Sequence, residues 1–283
     1  MPKKIKTLDI ILIAVILAGT AFGLYLHFDM NKTYSDEHIA AMFEPITSRY
    51  GIRIVYKVGD DFFSPLENPP IPAGPGRNSI VKPIKHRLLI RYVDILHKAL
   101  EKYPDDIIKK YLKSIHFAEE INEGGLKYGG TYDPFRKIVY LINNGRQTDD
   151  LAERTFHHEF SSLLLKTNSF NMKPWTDNNP KNFKYLYDLY DSWEELHKIE
   201  ITLEENEENY KKGFMDTYGQ TNFENDFNEY SAMIFTYPEK FKNIMNQYPR
   251  VRGKFKVWLE FYQKIDPIFT EEYLQQANTT GRR

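Results

Sequence analysis

Residues Ile10 to Phe28 read IILIAVILAGTAFGLYLHF, a run of 19 residues without an acid, a lysine or an arginine. An α-helix rises about 1.5 Å per residue, so this run spans roughly 28 Å, close to the hydrocarbon thickness of a bilayer. Lys3, Lys4 and Lys6 precede it, and the positive-inside rule then puts residues 1–9 in the cytoplasm. Everything after Phe28 is expected across the membrane, on a periplasmic or extracellular domain held by a single anchor at 10–28. A cleaved signal peptide is the competing reading, because Gly19-Thr20-Ala21 is a usable small-residue site. The apolar run continues past that site to Phe28, which favours an uncleaved signal anchor. Both readings export the domain.

The remaining chain is long enough for one large domain. It contains no cysteine, so disulfides, thiolate metal sites, cysteine nucleophiles and a lipoprotein anchor are all excluded. The 38 basic and 39 acidic side chains nearly cancel, and no nucleic-acid partner is expected.

Hydrophobic periodicity divides the exported part in two. A helix is expected before Tyr50, carried by Ile39, Met42, Phe43 and Ile46. Ile52–Val58 alternates at period two and reads as a strand, as does KIVYLI at Lys137–Ile142; Ser114–Ala118 is a shorter strand candidate. Pro65–Asn78 holds five prolines and reads as a surface loop. Helices are expected over Leu88–Tyr103 and from Asp105 or Asp106 to Leu112. Beyond Asn143-Asn144-Gly145 the pattern turns helical: Asp149 or Asp150 to Lys166, an acidic stretch at Asp191–Tyr210, then Asn225–Tyr237, Pro238–Tyr248 and Arg252–Ile265. The fold class is α+β, mostly helical, with a sheet-bearing part over 29–145, a helical half over 146–270 and a polar, frayed tail over 271–283.

Chemistry concentrates in the segment TFHHEFSSLLLK. Ala152, Phe156, Phe160, Leu163 and Leu164 form a core-facing stripe, and Thr155, His158, Glu159 and Ser162 share another face. His157 points about 100° away from His158. His-Glu on a helix after a strand matches the first half of H-E-x-x-H, in which two histidines one turn apart hold zinc and the glutamate acts as general base on the bound water. Downstream, Asp226, Glu229 and Met233 recur at helical spacing, so one carboxylate can project from that helix.

Three stretches in order, HHEFSSLLL, the Trp175 and tyrosine-rich stretch, and GFMDTYG…ENDFNEYSA, resemble the putative zinc-binding metallopeptidases over roughly residues 130–240. Those proteins carry HHEFxHxL, a Gly-Phe…Tyr segment and a helix with Asp-Phe-x-Glu. The resemblance implies a zincin-like, gluzincin-type fold, zinc as cofactor and a peptide or protein substrate. It also implies His158 and Glu229 as metal ligands and Glu159 as general base, with Tyr218 placed to donate to an oxyanion. The departure is Ser162, which stands where the second zinc histidine belongs. A hydroxyl is a poor zinc ligand beside imidazole. A third ligand then has to come from elsewhere, with His197 and Asp226 as candidates. Two outcomes follow: a zinc peptidase with a remodelled third ligand, whose strand Lys137–Ile142 is free to pair with an extended substrate, or a non-catalytic relative that keeps the scaffold as a peptide-binding or envelope-interaction module.

Overall fold

The computed structural model describes residues 33–65, 74–123, 125–189 and 201–280. The Ile10–Phe28 segment lies outside them; among the described residues no helix is long and apolar enough to cross a membrane. Helix α1 (Asp36–Tyr50) starts on Ser35, whose hydroxyl accepts from the His38 N–H, and stops at Gly51 with a φ of 66°. That left-handed conformation costs a glycine little. Strand β1 (Arg53–Val55) follows, then β2 (Ile80–Pro83), α2 (His86–Leu100) and α3 (Asp105–Tyr111). Next come β3 (Ser114–Glu123), β4 (Leu126–Lys127), β5 (Gly130–Asp133) and β6 (Ile138–Ile142).

The sheet runs β1-β3-β6-β5, with β2 and β4 also paired to β3. β3 is parallel to both β1 and β6, with Ser114 opposite Arg53 and Ile138, and β5 closes the path antiparallel to β6. The all-apolar sequence of β6 reflects burial on both faces. Val139 and Leu141 join the main core under the helices, whereas Ile138, Tyr140 and Ile142 join a second cluster with Phe62. Arg136 ties the loop over that second cluster to the sheet, donating to the Asp61 carbonyl at 3.0 Å and the Phe63 carbonyl at 2.7 Å.

After the sheet, the described elements are helical. They are α4 (Asp149–Thr167), α5 (Met172–Thr176), α6 (Glu207–Lys212), α7 (Phe223–Thr236), α8 (Pro238–Gln247), α9 (Pro249–Ile265) and α10 (Glu271–Thr280). α4 lies against β5, β6 and α2, and α7 packs along α4. The N-cap of α4 is Thr148, whose hydroxyl accepts from the Leu151 N–H. Glu153 is buried and accepts from Lys98 at 2.7 Å and Lys102 at 2.5 Å.

Three sequence expectations change. The acidic helix over Asp191–Tyr210 lies partly outside the described residues, and 201–206 is not helical. There the Thr202 backbone N–H bonds the Thr217 hydroxyl at 2.7 Å and its carbonyl accepts from the Tyr218 N–H at 3.2 Å, so the local pairing replaces helix. Asn206 then caps the short α6. The tail expected to fray forms α10, anchored by the buried Leu274. Strand β6 sits between β3 and β5, so it has no free edge to offer an extended substrate; on that side the sheet path ends at β5.

Candidate functional site

Arg154, His158 and Ser162 are spaced four apart on α4, which stacks their side chains on one face turned toward α7. From α7, Glu229 meets them. His158 Nδ1 lies 2.9 Å from Glu229 Oε1, so the two residues that sequence reasoning paired do converge. Glu229 Oε2 accepts from Arg154 Nε at 3.2 Å and from Nη2. The same guanidinium donates to Asp216 Oδ2 at 2.7 Å and has Glu205 at 3.7 Å. Both Glu229 oxygens are therefore engaged, one by an imidazole and one by a guanidinium.

Ser162 is engaged too. Its hydroxyl accepts from Asn228 Nδ2 at 2.6 Å, the residue beside Glu229. Tyr218 stands over His158 with ring centroids 5.7 Å apart, but no hydrogen bond joins them among the described residues. His157 belongs elsewhere, as its 100° offset requires. It is fully buried, with Nδ1 2.9 Å from the Tyr103 hydroxyl, and burial drops its pKa to about 4. Asp226 is not part of this site. Its carboxylate accepts from Trp175 Nε1 at 2.8 Å, the Tyr185 hydroxyl at 2.8 Å and Lys254 Nζ at 2.6 Å. His197 lies outside the described residues.

The electrostatics follow from one guanidinium among several acids. Burial alone would raise the Glu229 pKa, yet Arg154 and then His158 bring it down to about 2. Burial likewise opposes a charged His158, but the bond to Glu229 and the nearby Glu159 charge raise its pKa. Asp216, buried beside the ionised Glu229, is pushed well above the carboxylate range. Glu159, one residue from His158, rises to about 7 because burial disfavours its charge and Glu224 and Glu229 repel it.

That last shift has a stability consequence. A carboxyl raised in the folded state binds its proton more tightly there than in the unfolded chain. The fold therefore loses stability as pH rises from about 4.5 to about 7. Glu159→Gln removes that loss. The variant is expected to gain on the order of 1–3 kcal/mol over the parent at pH 8 and almost nothing at pH 4. Urea denaturation at both pH values measures it; an equal difference at the two would contradict the shift.

Catalytic zinc sites take three protein ligands and keep one open position. Among the described residues no group of three His, Cys, Asp or Glu side chains is arranged to hold a metal ion. His158 and Glu229 supply two donors, bonded to each other, and the neighbouring cation is Arg154.

A family model described as "Putative zinc-binding metallo-peptidase" matches residues 29–279. Among solved structures, the chain is similar to one titled a putative zinc-binding metallo-peptidase from Bacteroides caccae. The identity is 15% and the TM-score 0.55, with 88% of this chain and 94% of that chain covered. That likeness establishes the shared fold. No curated protein matches the chain.

Proposed function

Because this chain belongs to the putative zinc-binding metallo-peptidase family, we propose that it recognises peptide or protein segments at the His158–Glu229 site without hydrolysing them. The family is described as zinc-binding, and zinc is the cofactor that membership implies. The observation that carries the non-hydrolytic reading is Glu229. Its two oxygens are engaged by His158 and Arg154, while Ser162 replaces the second histidine and is itself engaged by Asn228. A divalent ion beside Arg154 would face a fixed positive charge at hydrogen-bonding range from its own carboxylate ligand, an arrangement that weakens cation binding. The donor set among the described residues does not fit zinc.

The His158–Glu159 pair keeps one hydrolytic feature: a carboxyl with a pKa of about 7, where a general base works well. Metal analysis separates the two readings. The full chain, incubated with excess zinc and dialysed, is expected to retain far less than one zinc per molecule and to leave a mixed peptide library uncut. Stoichiometric zinc together with chelator-sensitive cleavage would overturn the proposal.

The run Ile10–Phe28 supports an anchored domain outside the cytoplasm. Protease added to intact cells should then digest the domain and spare a small N-terminal fragment; full protection until lysis would refute that placement.

A further inference from the structure

The proposed site is closed to a peptide. Arg154, His158, Glu159, Asp216 and Glu229 are each at most 8% exposed. Recognition there requires one wall to move, and two walls are built to stay. Helices α4 and α7 are tied by the Ser161–Ser231 contact at 2.8 Å and the Ser162–Asn228 bond at 2.6 Å, with Phe160 and Phe227 in the core between them. Strand β5 is laddered to β6 from Gly130 to Asp133. It is also packed on Glu159, since a Cβ on Gly130 would lie 2.7 Å from Glu159 Oε1.

The third wall is different. Residues 201–206 have neither helix nor ladder, none of them is buried, and Leu203 is 41% exposed. A segment without a buried anchor opens at far lower free energy than packed helix or sheet. Its hold is polar. The Thr202 carbonyl accepts from the Thr217 hydroxyl at 3.0 Å and from the Tyr218 N–H at 3.2 Å, and the Tyr218 ring stands over His158. Glu205 reaches three helices: Arg154 Nη1 on α4 at 3.7 Å, Lys240 Nζ on α8 at 2.9 Å and the Tyr210 hydroxyl on α6 at 2.8 Å. The Lys240 side chain is half exposed, so that pair is screened by water and weak enough to break.

Resting on the peptide-binding reading, we propose that residues 201–206 form a strap that closes the His158–Glu229 site and must release before a peptide enters, with Glu205 as its latch. The latch ends on Arg154, which also holds Glu229, so the strap and the site close together.

Diethyl pyrocarbonate, which labels accessible imidazoles, tests the strap on the full chain with mass-spectrometric readout. His97, half exposed, sets the fast limit, and His157, fully buried one residue from His158, reports global unfolding. In the parent, His158 should label far more slowly than His97. Glu205→Ala should speed labelling of His158 at least about threefold, and Lys240→Met should act in the same direction, with His157 unchanged in both. A parent His158 as fast as His97, no acceleration in Glu205→Ala, or a parallel rise at His157 would overturn the strap. Acceleration by Glu205→Ala with none by Lys240→Met would overturn the latch, because it assigns the effect to the charge lost beside Arg154.

A reversible lock separates the strap from its ligand. The chain has no cysteine, and the Thr202 and Thr217 hydroxyls lie 3.5 Å apart. Thr202→Cys with Thr217→Cys therefore introduces a single possible crosslink. The oxidised variant should label at His158 more slowly than the reduced one and retain at least about tenfold less of a mixed peptide library. Equal labelling and equal retention in the two forms would overturn the strap. No retention in any form, with His158 labelling still following the lock, would instead overturn the peptide-binding reading and leave the closure standing.

Discussion

The double variant Ser162→His, Arg154→Gln is expected to take up about one zinc per chain where the parent retains almost none. Each change addresses a separate obstacle. Histidine at 162 lies one turn beyond His158 on the same face of α4, the spacing at which two imidazoles share an ion. It displaces a buried hydroxyl that Asn228 and Tyr132 both meet. Glutamine at 154 can still donate to Asp216, but it carries no charge and releases Glu229 Oε2. Two histidines and one glutamate then form a ligand set that catalytic zinc sites use. Ser162→His alone should bind zinc much more weakly, since Glu229 stays held by the guanidinium. The readouts are metal content after dialysis and the melting transition with and without zinc. Ligand linkage predicts about 4 kcal/mol of added stability at zinc a thousandfold above its dissociation constant. A double variant that folds and still excludes zinc would show that Ser162 and Arg154 are not what distinguishes this chain from a metal-binding one.

The convergence of His158 and Glu229 was legible in the sequence because each lies in a motif with a defined direction: His-Glu on an amphipathic helix, and a glutamate on a later helix. The third partner was not. Arg154 sits four residues before His158, so its face was knowable, but an arginine in a soluble helix ordinarily points to water. Only the three acids brought by Glu229, Asp216 and Glu205 from later segments make its burial tolerable. For the same reason the loss of the second histidine read as a missing ligand, whereas the structure shows a different cation beside the carboxylate. Strand identity was legible for KIVYLI, whose apolar run demands burial. Its place inside the sheet was not, because edge or centre depends on pairing with β5, a four-residue strand between glycines and a turn. The Ile201–Asn206 segment misled because its acids suit a helix, while the contacts of Thr202 with Thr217 and Tyr218 depend on a segment 15 residues away.

Asp226→Asn is expected to cost about 3–5 kcal/mol of folding stability, the range for removing one partner of a buried ion pair. Lys254 is 0% exposed, and its Nζ lies 3.8 Å from the Phe214 ring centroid. Burial already lowers its pKa to about 8, with Asp226 as the charge that opposes this. Without that carboxylate, the ammonium must either stay charged in an apolar enclosure or give up its proton. Asparagine still has an oxygen to accept from Trp175 and Tyr185, so the variant isolates the charge from the shape. Adding Lys254→Met should recover much of the loss, because replacing both partners of a buried pair is far less costly than stranding one. Equilibrium urea unfolding of the parent, both single variants and the double closes the cycle, and the coupling between the two sites should exceed about 2 kcal/mol. A loss below about 1 kcal/mol for Asp226→Asn would mean that water reaches Lys254. The consequence for the site is positional. Asp226 fixes α7 to α9 and to Trp175 one turn before Glu229, so the cluster that seemed able to donate a metal ligand instead sets where Glu229 stands. Asp226→Asn should accordingly loosen the Glu229–His158 contact along with the fold.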